Sequence, residues 1–314
     1  MNFEISVIIP VYNAARYLEK AITSAIEQEL VIQVVAVDDG STDGSHSLLI
    51  KLEKIYKKLT VLTHPNHCNK GRSATRNLGI NHAIGNFIAF LDADDFYLDN
   101  RFLKDLEIFK QRSDADGVYN AVGFKIYDTS KSHLPQVQQL YTVNQVVAPD
   151  SLFENLVTGK VGHFQIDGLT VKKALFDRTG LFNEDLEVAE DTDIFWKMAI
   201  AGKIYTGEID KAVALRGVHN FNSFYNDELY AENIYKMYES LISWSSKNKV
   251  ALNKIDLLLK WVWILKHKKE DGLWNETRLW ATQFSGNLRI IFSYLLIKYF
   301  PLVRRRKQVF PFLK

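Results

Sequence analysis

The segment Gly85–Leu98 has the sequence GNFIAFLDADDFYL, in which a short apolar run ends in three carboxylates. The run Phe87–Leu91 has the length of a strand and is apolar on both faces, as in a central strand of a covered sheet. Acids that follow such a strand lie at the carboxyl edge of the sheet, where open α/β sheets bind ligands. The segment therefore predicts an α/β fold with a ligand site beside Asp92, Asp94 and Asp95.

Two explanations of these acids stay open at this point. Asp92 and Asp94 are separated by one residue, so on an extended backbone their side chains point the same way. This arrangement suits a hard divalent cation, Mg²⁺ or Mn²⁺, that bridges to substrate phosphates. The alternative is an Asp-rich turn before the helix that starts near Asn100, with Asp95 as the helix cap.

Composition limits the class of protein. The chain has 314 residues, of which 47% are hydrophobic and 24% charged, as expected of one globular domain with an appendage or of two domains. The first residues, MNFEISVIIPVYN, lack a basic region and a cleavage site, so we expect a first strand there and no signal peptide. The single cysteine, Cys68, excludes an internal disulfide and favours a reducing compartment. No apolar run reaches the ~18 residues of a spanning helix, so a cytoplasmic protein is expected.

The charge is distributed unevenly along the chain. Residues 247–314 contain 15 Lys and Arg against 4 Asp and Glu, whereas residues 1–246 contain 24 against 33. Strand patterns also stop near Asp227, and helical patterns follow over 227–247, 254–268 and 274–300. We therefore expect an α/β domain over residues 1–226 and a basic, aromatic-rich helical region over residues 227–314.

Strands and helices alternate through the first part of the chain. This alternation predicts a parallel, doubly wound sheet flanked by helices. The predicted strands are 5–11, 31–37, 61–62, 87–91 and 117–124, and the main predicted helices are 45–56, 73–83, 102–111 and 190–200. Residues 127–145 are polar without a clear period, so we expect a loop or a hairpin there.

Five segments resemble motifs of family 2 glycosyltransferases, and they occur in the order and spacing of that family. The segments are ISVIIPVYNA (5–14), VVAVDDGSTD (34–43), GRSATRNLGI (71–80), GNFIAFLDADD (85–95) and AEDTDIFWKM (189–198). The resemblance extends over about residues 3–223. It implies the GT-A fold, which is a Rossmann-like, mostly parallel sheet flanked by helices, and a nucleotide-diphospho-sugar donor with a divalent metal, Mn²⁺ or Mg²⁺.

The resemblance also implies a donor site. The turn at Pro10 and the acids after the second strand would cradle the nucleotide base, where Asp39 accepts a hydrogen bond from a uracil-like N–H; a UDP-sugar is thus the expected donor. Arg76 would orient the acid cluster, and Arg72 would lie nearer the donor, although the family often has a small residue at that position. The expected nucleotide and donor residues are Pro10, Val11, Tyr12, Asp39, Arg72, Arg76, Asp92 and Ala93.

The same resemblance assigns the metal and the base. Asp94 would bind the metal directly, Asp92 indirectly, and His219 would complete the site. Asp191 would be the general base, because a hydroxyl is a poor nucleophile unless its proton leaves during attack. Glu190 would lie on the acceptor side or hold the start of its helix. From the residues alone, helix caps, a solvated acidic face and a surface imidazole remain alternatives.

The acceptor and the C-terminal region carry weaker signals. No pattern marks an acceptor site over residues 127–165, where His163, Phe164 and Gln165 either line that site or pack a loop. The apolar stretch 288–303 is flanked by four cations at residues 304–307, as in a segment that lies on a membrane surface. An oligomer contact is the alternative. Nucleic acid is not expected, because the α/β part is acidic and the tail lacks a groove-reading motif.

Together these patterns predict an inverting glycosyltransferase that builds a bacterial surface polysaccharide on a glycan or lipid-linked acceptor, in the cytoplasm or peripheral on the inner face of the membrane. One alternative is a metal-dependent nucleotidyltransferase, which needs a Gly- and Lys/Arg-rich loop after the first strand; this chain has PVYNAAR there. The other is an inactive nucleotide-sugar-binding protein, against which the intact Asp92, Asp94 and Asp191 argue.

Overall fold

The computed structural model describes residues 2–127, 140–219, 227–267 and 288–298, together with residues 274, 277, 278, 281, 300 and 303. The chain divides into two compact units, Met1–Asn226 and Asp227–Lys314. The division falls where the strand patterns of the sequence stop.

The first unit contains ten strands and seven α-helices within the described residues. The strands are β1 (Ile5–Val11), β2 (Val31–Asp38), β3 (Leu59–Thr63), β4 (Phe87–Phe90), β5 (Phe96–Tyr97), β6 (Gly117–Tyr119), β7 (Val122–Ile126), β8 (Leu169–Lys172), β9 (Ile204–Thr206) and β10 (Ala214–Val218). The helices are α1 (Ala15–Ile26), α2 (Ser45–Ile55), α3 (Arg72–His82), α4 (Leu103–Gln111), α5 (Pro149–Val157), α6 (Phe176–Thr179) and α7 (Glu190–Ala201).

Seven strands form the central sheet in the order β3-β2-β1-β4-β8-β6-β9. The pairs β1–β2, β2–β3, β1–β4 and β6–β9 are parallel, and among the described strands of this sheet only β8 runs antiparallel to its neighbours, β4 and β6. Helices cover the sheet; for example, α1 buries Leu18, Ala21, Ile22 and Ala25 on one face. Each fully buried Leu or Ile contributes about 1.5–3 kcal/mol to stability. The prediction of a mainly parallel sheet with flanking helices is confirmed.

A smaller second sheet, in the order β5-β10-β7, was not anticipated. The single strand predicted over residues 117–124 is wrong, because β6 belongs to the large sheet and β7 to the small one. The chain turns between them at the buried Asn120, whose backbone N–H donates to the carbonyl of Gly168 and whose side chain donates to Asp105. These bonds satisfy the buried backbone and side-chain donors of Asn120 where the ladder of β6 ends. In this small sheet β10 pairs with β5 and β7, and it ends beside the acid motif.

The second unit is helical where it is described. It contains α8 (Asp227–Lys247), α9 (Leu252–Val262), a π-helical turn over Trp263–His267, a 3₁₀ turn over Leu288–Phe292 and α10 (Tyr294–Lys298). The single helix predicted over residues 274–300 is wrong at Ser293, whose hydroxyl accepts a hydrogen bond from the N–H of Leu296 and so caps a new helix. Most of residues 268–287 and 299–314, and residues 128–139 of the predicted loop, lie outside the described residues. Within the described part of the chain, no helix has the length and apolar character needed to cross a membrane.

Candidate active site

The acid motif begins where β4 leaves the sheet. The N–H of Leu91 still donates to the carbonyl of Ile8 on β1, and the chain then turns as Asp95 N–H donates to the carbonyl of Asp92. The side chains of Asp92 and Asp94 are 25% and 28% exposed, so both can be reached from solvent. Asp95 is buried behind them. The strand thus presents two open carboxylates at its carboxyl end, as the sequence predicts.

His219 meets this motif although it lies 125 residues further along the chain. Its Nε2 is 2.9 Å from Oδ2 of Asp94. The imidazole stacks on the ring of Tyr17, with 5.0 Å between ring centroids and 9° between planes. The two predicted metal ligands therefore lie side by side, and Tyr17 on α1, which the sequence analysis did not single out, orients the histidine.

Gly217 allows β10 to approach the acid motif closely. A Cβ at this position would lie 2.5 Å from the carbonyl oxygen of Asp94, closer than non-bonded atoms come. The N–H of Gly217 donates to Oδ1 of Asp95 at 2.7 Å. The prediction that Asp95 caps the following helix is wrong, because that helix starts at Leu103 and Asp95 instead ties the turn to β10. A glycine here brings His219 within reach of the acids.

Asp95 forms a buried carboxyl pair with Asp167, a residue of the 3₁₀ turn before β8. Burial raises the pKa of Asp95 well above its ordinary value, and the charges of Asp167 and Asp94 raise it further. Burial, followed by the charge of Asp92, raises the pKa of Asp167 to about 6. Asp167 also accepts a hydrogen bond from the N–H of Asp92 at 3.0 Å. The pair therefore packs behind the acid motif. Its carboxyl groups keep their protons to a higher pH than exposed Asp side chains do.

The donor set fits a divalent cation. Oxygens of Asp92, Asp95 and Asp167 lie within 4.8 Å of one another. Among the described residues, Oδ2 of Asp95 and Oδ2 of Asp167 are buried without a hydrogen-bond partner, which marks a place where a cation or a proton is needed. Carboxylate oxygens with one imidazole suit Mn²⁺ or Mg²⁺ better than thiolate-preferring metals. Asp94 and Asp92 are the acids that an entering phosphate can reach.

Arg76 joins the acid motif to the start of α7. It is 2% exposed, and its two terminal nitrogens lie 2.8 Å from Oδ1 of Asp92 and 2.8 Å from Oε1 of Glu190. Burial alone would lower the pKa of the guanidinium, but the two carboxylates raise it overall. Burial likewise opposes ionisation of Asp92, yet Arg76 holds the pKa of Asp92 below its ordinary value. One side chain thus fixes the distance between two motifs that are almost a hundred residues apart.

Glu190 and Asp191 differ in surroundings although they are adjacent. Glu190 is 2% exposed, and its Oε1 also lies 3.6 Å from Nε of Arg72. Burial raises the pKa of Glu190, as does the charge of Asp191. Asp191 is half-buried and accepts a hydrogen bond from the N–H of Thr192 at 2.7 Å. Of the two roles considered for Glu190, holding the helix start is the one that this geometry supports, while Asp191 remains accessible.

Helix α7 starts after an unusual residue. Ala189 has φ of +65°, a left-handed conformation that costs a non-glycine residue about 1–2 kcal/mol. Such residues cluster at functional sites, where the surrounding structure holds them. Here it marks the turn from the preceding loop into α7, one residue before Glu190, and the sequence pattern had no signal for it.

The corner between β1 and β2 holds the residues predicted to bind the base. The N–H of Asp39 donates to the carbonyl of Val11 at 2.8 Å, which joins the ends of the two strands. The buried carboxylate of Asp39 accepts hydrogen bonds from the N–H groups of Lys70 and Gly71 at 2.6 and 3.0 Å. Tyr12 is 54% exposed and can cover a planar ligand. Side chains at Val11 and Ala93 are buried, so any contact they make with a ligand runs through their backbone.

Phe164 and Gln165 pack the loop before β8. Phe164 is buried and stacks on Tyr119 with ring centroids 4.5 Å apart. The side chain of Gln165 is also buried and accepts a hydrogen bond from the N–H of Asp167. His163 differs, because its side chain reaches the surface and Asp191 is near enough to act on it. Among these three residues, only His163 stays available to an acceptor.

Comparison with known proteins identifies the family of this chain. The model of the family named Glycosyl transferase family 2 matches residues 6–171, which is more than half of the chain. The chain belongs to glycosyl transferase family 2. The match includes β1, β2, the acid motif and the turn that holds Asp167, and the predicted family is confirmed.

Similar proteins and solved structures add to this result. An uncharacterized glycosyltransferase of Rickettsia prowazekii is 29% identical over 208 residues, which cover 64% of this chain and 60% of that protein. S. aureus TarS 1–349 in complex with UDP-GlcNAc has a TM-score of 0.63 at 20% identity and covers 98% of this chain and 92% of its own. The mannosyltransferase PcManGT of Pyrobaculum calidifontis, in complex with GDP-Man and Mn²⁺, has a TM-score of 0.54 at 16% identity over 97% of this chain and 88% of its own. The structural likeness confirms the GT-A fold that the sequence predicts.

Proposed function

We propose that this protein transfers a sugar from a nucleotide-diphospho-sugar to an acceptor hydroxyl, with inversion at the anomeric carbon. The observation that carries the proposal is the double ion pair of the buried Arg76. It connects Asp92, at the end of β4, with Glu190, the neighbour of Asp191, at 2.8 Å on each side. A charged leaving group held by the acid motif and a base at the start of α7 would therefore face one reaction centre.

The proposed donor is a UDP-sugar. The corner at Asp39 offers buried carboxylate oxygens to a base N–H, beside the exposed ring of Tyr12. Each oxygen of Asp39 already accepts one backbone hydrogen bond and retains a second lone pair. The UDP-GlcNAc complex of TarS supports a uridine nucleotide, and the GDP-Man complex of PcManGT makes a guanosine nucleotide the alternative.

The proposed metal ligands are Asp94 and His219, with Asp92 acting through the ribose or a bound water. The 2.9 Å distance between Asp94 and His219 and the partial exposure of both support this set. The Mn²⁺ in PcManGT supports the metal, Mn²⁺ or Mg²⁺. A divalent cation held there supplies positive charge to the diphosphate as it leaves. Asp95 and Asp167 lie behind these ligands and hold the turn.

Asp191 is the proposed general base. Its carboxylate takes the proton of the acceptor hydroxyl while that oxygen forms its bond to the anomeric carbon. The bond from the anomeric carbon to the diphosphate oxygen breaks in the same step, and the nucleoside diphosphate leaves on the opposite face. Because no covalent enzyme intermediate forms, the configuration inverts. The partial exposure of Asp191 and its link to the acid motif through Glu190 and Arg76 support this role.

The biological setting we propose is the synthesis of a bacterial surface polysaccharide on a lipid-linked acceptor, with residues 227–314 as a separate region that contacts the membrane surface. This region carries 16 of the 39 Lys and Arg residues. Phe292, Tyr294 and Ile297 are 75%, 67% and 51% exposed, which is unusual for large apolar side chains. Co-sedimentation with anionic vesicles, absent with neutral ones, is expected. Self-association without vesicle binding would favour the oligomer contact instead.

A donor screen tests the proposed activity. The purified chain is heated with UDP-, GDP-, CDP- and dTDP-sugars, each with and without Mn²⁺. A ligand at a hundred times its Kd stabilises the folded protein by about 2.7 kcal/mol, so the true donor raises Tm only when the metal is present. If a nucleotide-sugar binds but no nucleoside diphosphate is released with any acceptor, the chain is an inactive binding protein. Release of pyrophosphate from a nucleoside triphosphate would indicate a nucleotidyltransferase.

A further inference from the structure

Three side chains outside the proposed reaction centre form a second cluster with the chemistry of a metal site. Asp38 ends β2, His46 is the second residue of α2, and His67 ends the 3₁₀ turn after β3. One donor atom from each lies within 4.8 Å of the other two. Nδ1 of His46 is 3.6 Å from Oδ2 of Asp38, and the two imidazole rings are 5.1 Å apart at 76°. We call these three residues the histidine cluster.

One ring nitrogen of His46 lacks a hydrogen-bond partner within the described part of the chain. Its Nδ1 is shielded from solvent and has no hydrogen-bond partner among the described residues. A buried polar atom left in this state costs about 1–3 kcal/mol. Asp38 is 1% exposed, so its carboxylate is largely withdrawn from water as well. A cation between the two side chains would give Nδ1 of His46 a partner and neutralise the buried charge of Asp38.

The turn that presents His67 is held in a rare backbone conformation. Asn66 and His67 have φ of +58° and +48° in succession. A left-handed conformation is uncommon for a non-glycine residue, although Asn and His adopt it more readily than most, and it persists where the surrounding structure holds it. Here the exposed ring of His67 lies edge-on to the ring of His46, with 5.1 Å between centroids. The backbone therefore arranges the third member of the cluster.

The spacing is compatible with metal binding. With metal–nitrogen distances of ~2.1 Å, two ligands of a tetrahedral ion are ~3.4 Å apart. The 3.6 Å between His46 and Asp38 matches this separation closely. Because all three donor atoms lie within 4.8 Å of one another, the other separations need to close by at most about 1.4 Å, which a small rotation of the exposed His67 side chain provides.

We propose that the histidine cluster binds a transition-metal ion, with Zn²⁺ preferred, separately from the divalent cation of the reaction centre. Two imidazoles and one carboxylate suit Zn²⁺, Co²⁺ or Ni²⁺ better than Mg²⁺ or Mn²⁺. The ion cross-links α2 to the loop that follows β3. That loop supplies the N–H groups of Lys70 and Gly71 to Asp39. Occupancy of the cluster therefore stiffens the corner that is proposed to bind the nucleotide base.

Cobalt titration tests the cluster directly. The protein used is the double variant Asp94→Ala/His219→Ala, which removes the proposed catalytic ligands, and the readout is the visible absorption of tetrahedral Co²⁺. We expect one Co²⁺ per chain, displaced by Zn²⁺. Adding His67→Gln should abolish the absorption and weaken Co²⁺ binding by at least ~10-fold, since metal-ligating residues contribute strongly to affinity.

His82→Gln is the matched control, because this exposed histidine at the end of α3 lies outside the cluster and its side chain bonds to the carbonyl of Leu78 within its own helix. His67 is also exposed, so His67→Gln is expected to fold, and the far-UV CD of each variant checks this. Unchanged cobalt absorption and affinity in a folded His67→Gln variant would overturn the proposal. So would an equal loss in His82→Gln.

Discussion

Replacing Arg76 with lysine tests the link between the acid motif and the start of α7. The guanidinium is 2% exposed and makes two charged contacts of 2.8 Å, one to Asp92 and one to Glu190. Lysine keeps the charge, but a single ammonium on a thinner stem cannot reproduce a fork that spans two carboxylates. The variant therefore retains at most one of the two contacts.

The expected cost follows from the burial of these groups. A hydrogen bond to a charged partner contributes about 1.5–3 kcal/mol, and a buried carboxylate left unpaired adds its desolvation cost. We expect Arg76→Lys to lower the free energy of unfolding by roughly 2–3 kcal/mol. We also expect kcat to fall about 100-fold, because a misplacement of about 1 Å between base and reacting carbon is enough for that loss. KM for the donor should change less than kcat, since the corner at Asp39 is untouched.

Urea unfolding and steady-state release of nucleoside diphosphate measure the two effects. Arg178→Lys is the control, because Arg178 pairs with Asp116 on the surface and is 46% exposed. Surface ion pairs contribute about 0–1 kcal/mol, so this same change should cost little. Two results together would refute this reasoning. Arg76→Lys would be no less stable than Arg178→Lys, and its kcat would stay within about twofold of wild type. Arg76 would then not set the distance between the two motifs.

Four further substitutions test single contacts. Asp191→Asn should leave donor affinity in calorimetry near wild type and lower transfer by about 10²–10⁴, as for loss of a general base; retained transfer would remove Asp191 from that role. Asp94→Ala should abolish the gain in UDP affinity that Mn²⁺ gives, and a persisting gain contradicts Asp94 as a ligand. Gly217→Ala places a Cβ 2.5 Å from the carbonyl of Asp94, so it should destabilise the fold by about 1–3 kcal/mol and weaken Mn²⁺ binding; wild-type affinity for Mn²⁺ speaks against the close approach. Arg101→Met removes a buried partner 2.9 Å from Asp105 and should cost about 3–5 kcal/mol in urea unfolding, partly recovered by adding Asp105→Asn; a cost below 1 kcal/mol argues against the pair.

The parts of the site that the sequence predicts are local in the chain. An apolar run that ends in Asp92 and Asp94 signals a strand and its carboxyl edge within a dozen residues. The start of α7 at Glu190 is equally local, since acids at a helix N-terminus interact favourably with its dipole. The local sequence does not predict which of the two adjacent acids, Glu190 or Asp191, is buried. Their burial depends on the position of Arg76 in the folded chain, and only the structure separates Glu190 from Asp191.

The parts that the sequence does not predict come from strand pairing. β8 lies antiparallel between β4 and β6, an exception to the alternation of strands and helices. The pairing places Asp167, just before β8, under the acid motif, where it accepts the N–H of Asp92. Nothing around Asp167 in the sequence marks it, because its neighbours are those of an ordinary loop. Tyr17 reaches His219 in the same way, through packing between elements distant in sequence.

The break between β6 and β7 shows why this non-local packing matters for the site. A single strand over residues 117–124 would keep that part of the chain in the central sheet. The turn at Asn120 instead lets β7 pair with β10 in a second sheet, and β10 then delivers Gly217 and His219 to the acid motif. Asn120 is held by Asp105, which in turn pairs with the buried Arg101. The polar network around Arg101 therefore helps to position the proposed metal ligands, because it holds the turn that directs β7 into the second sheet.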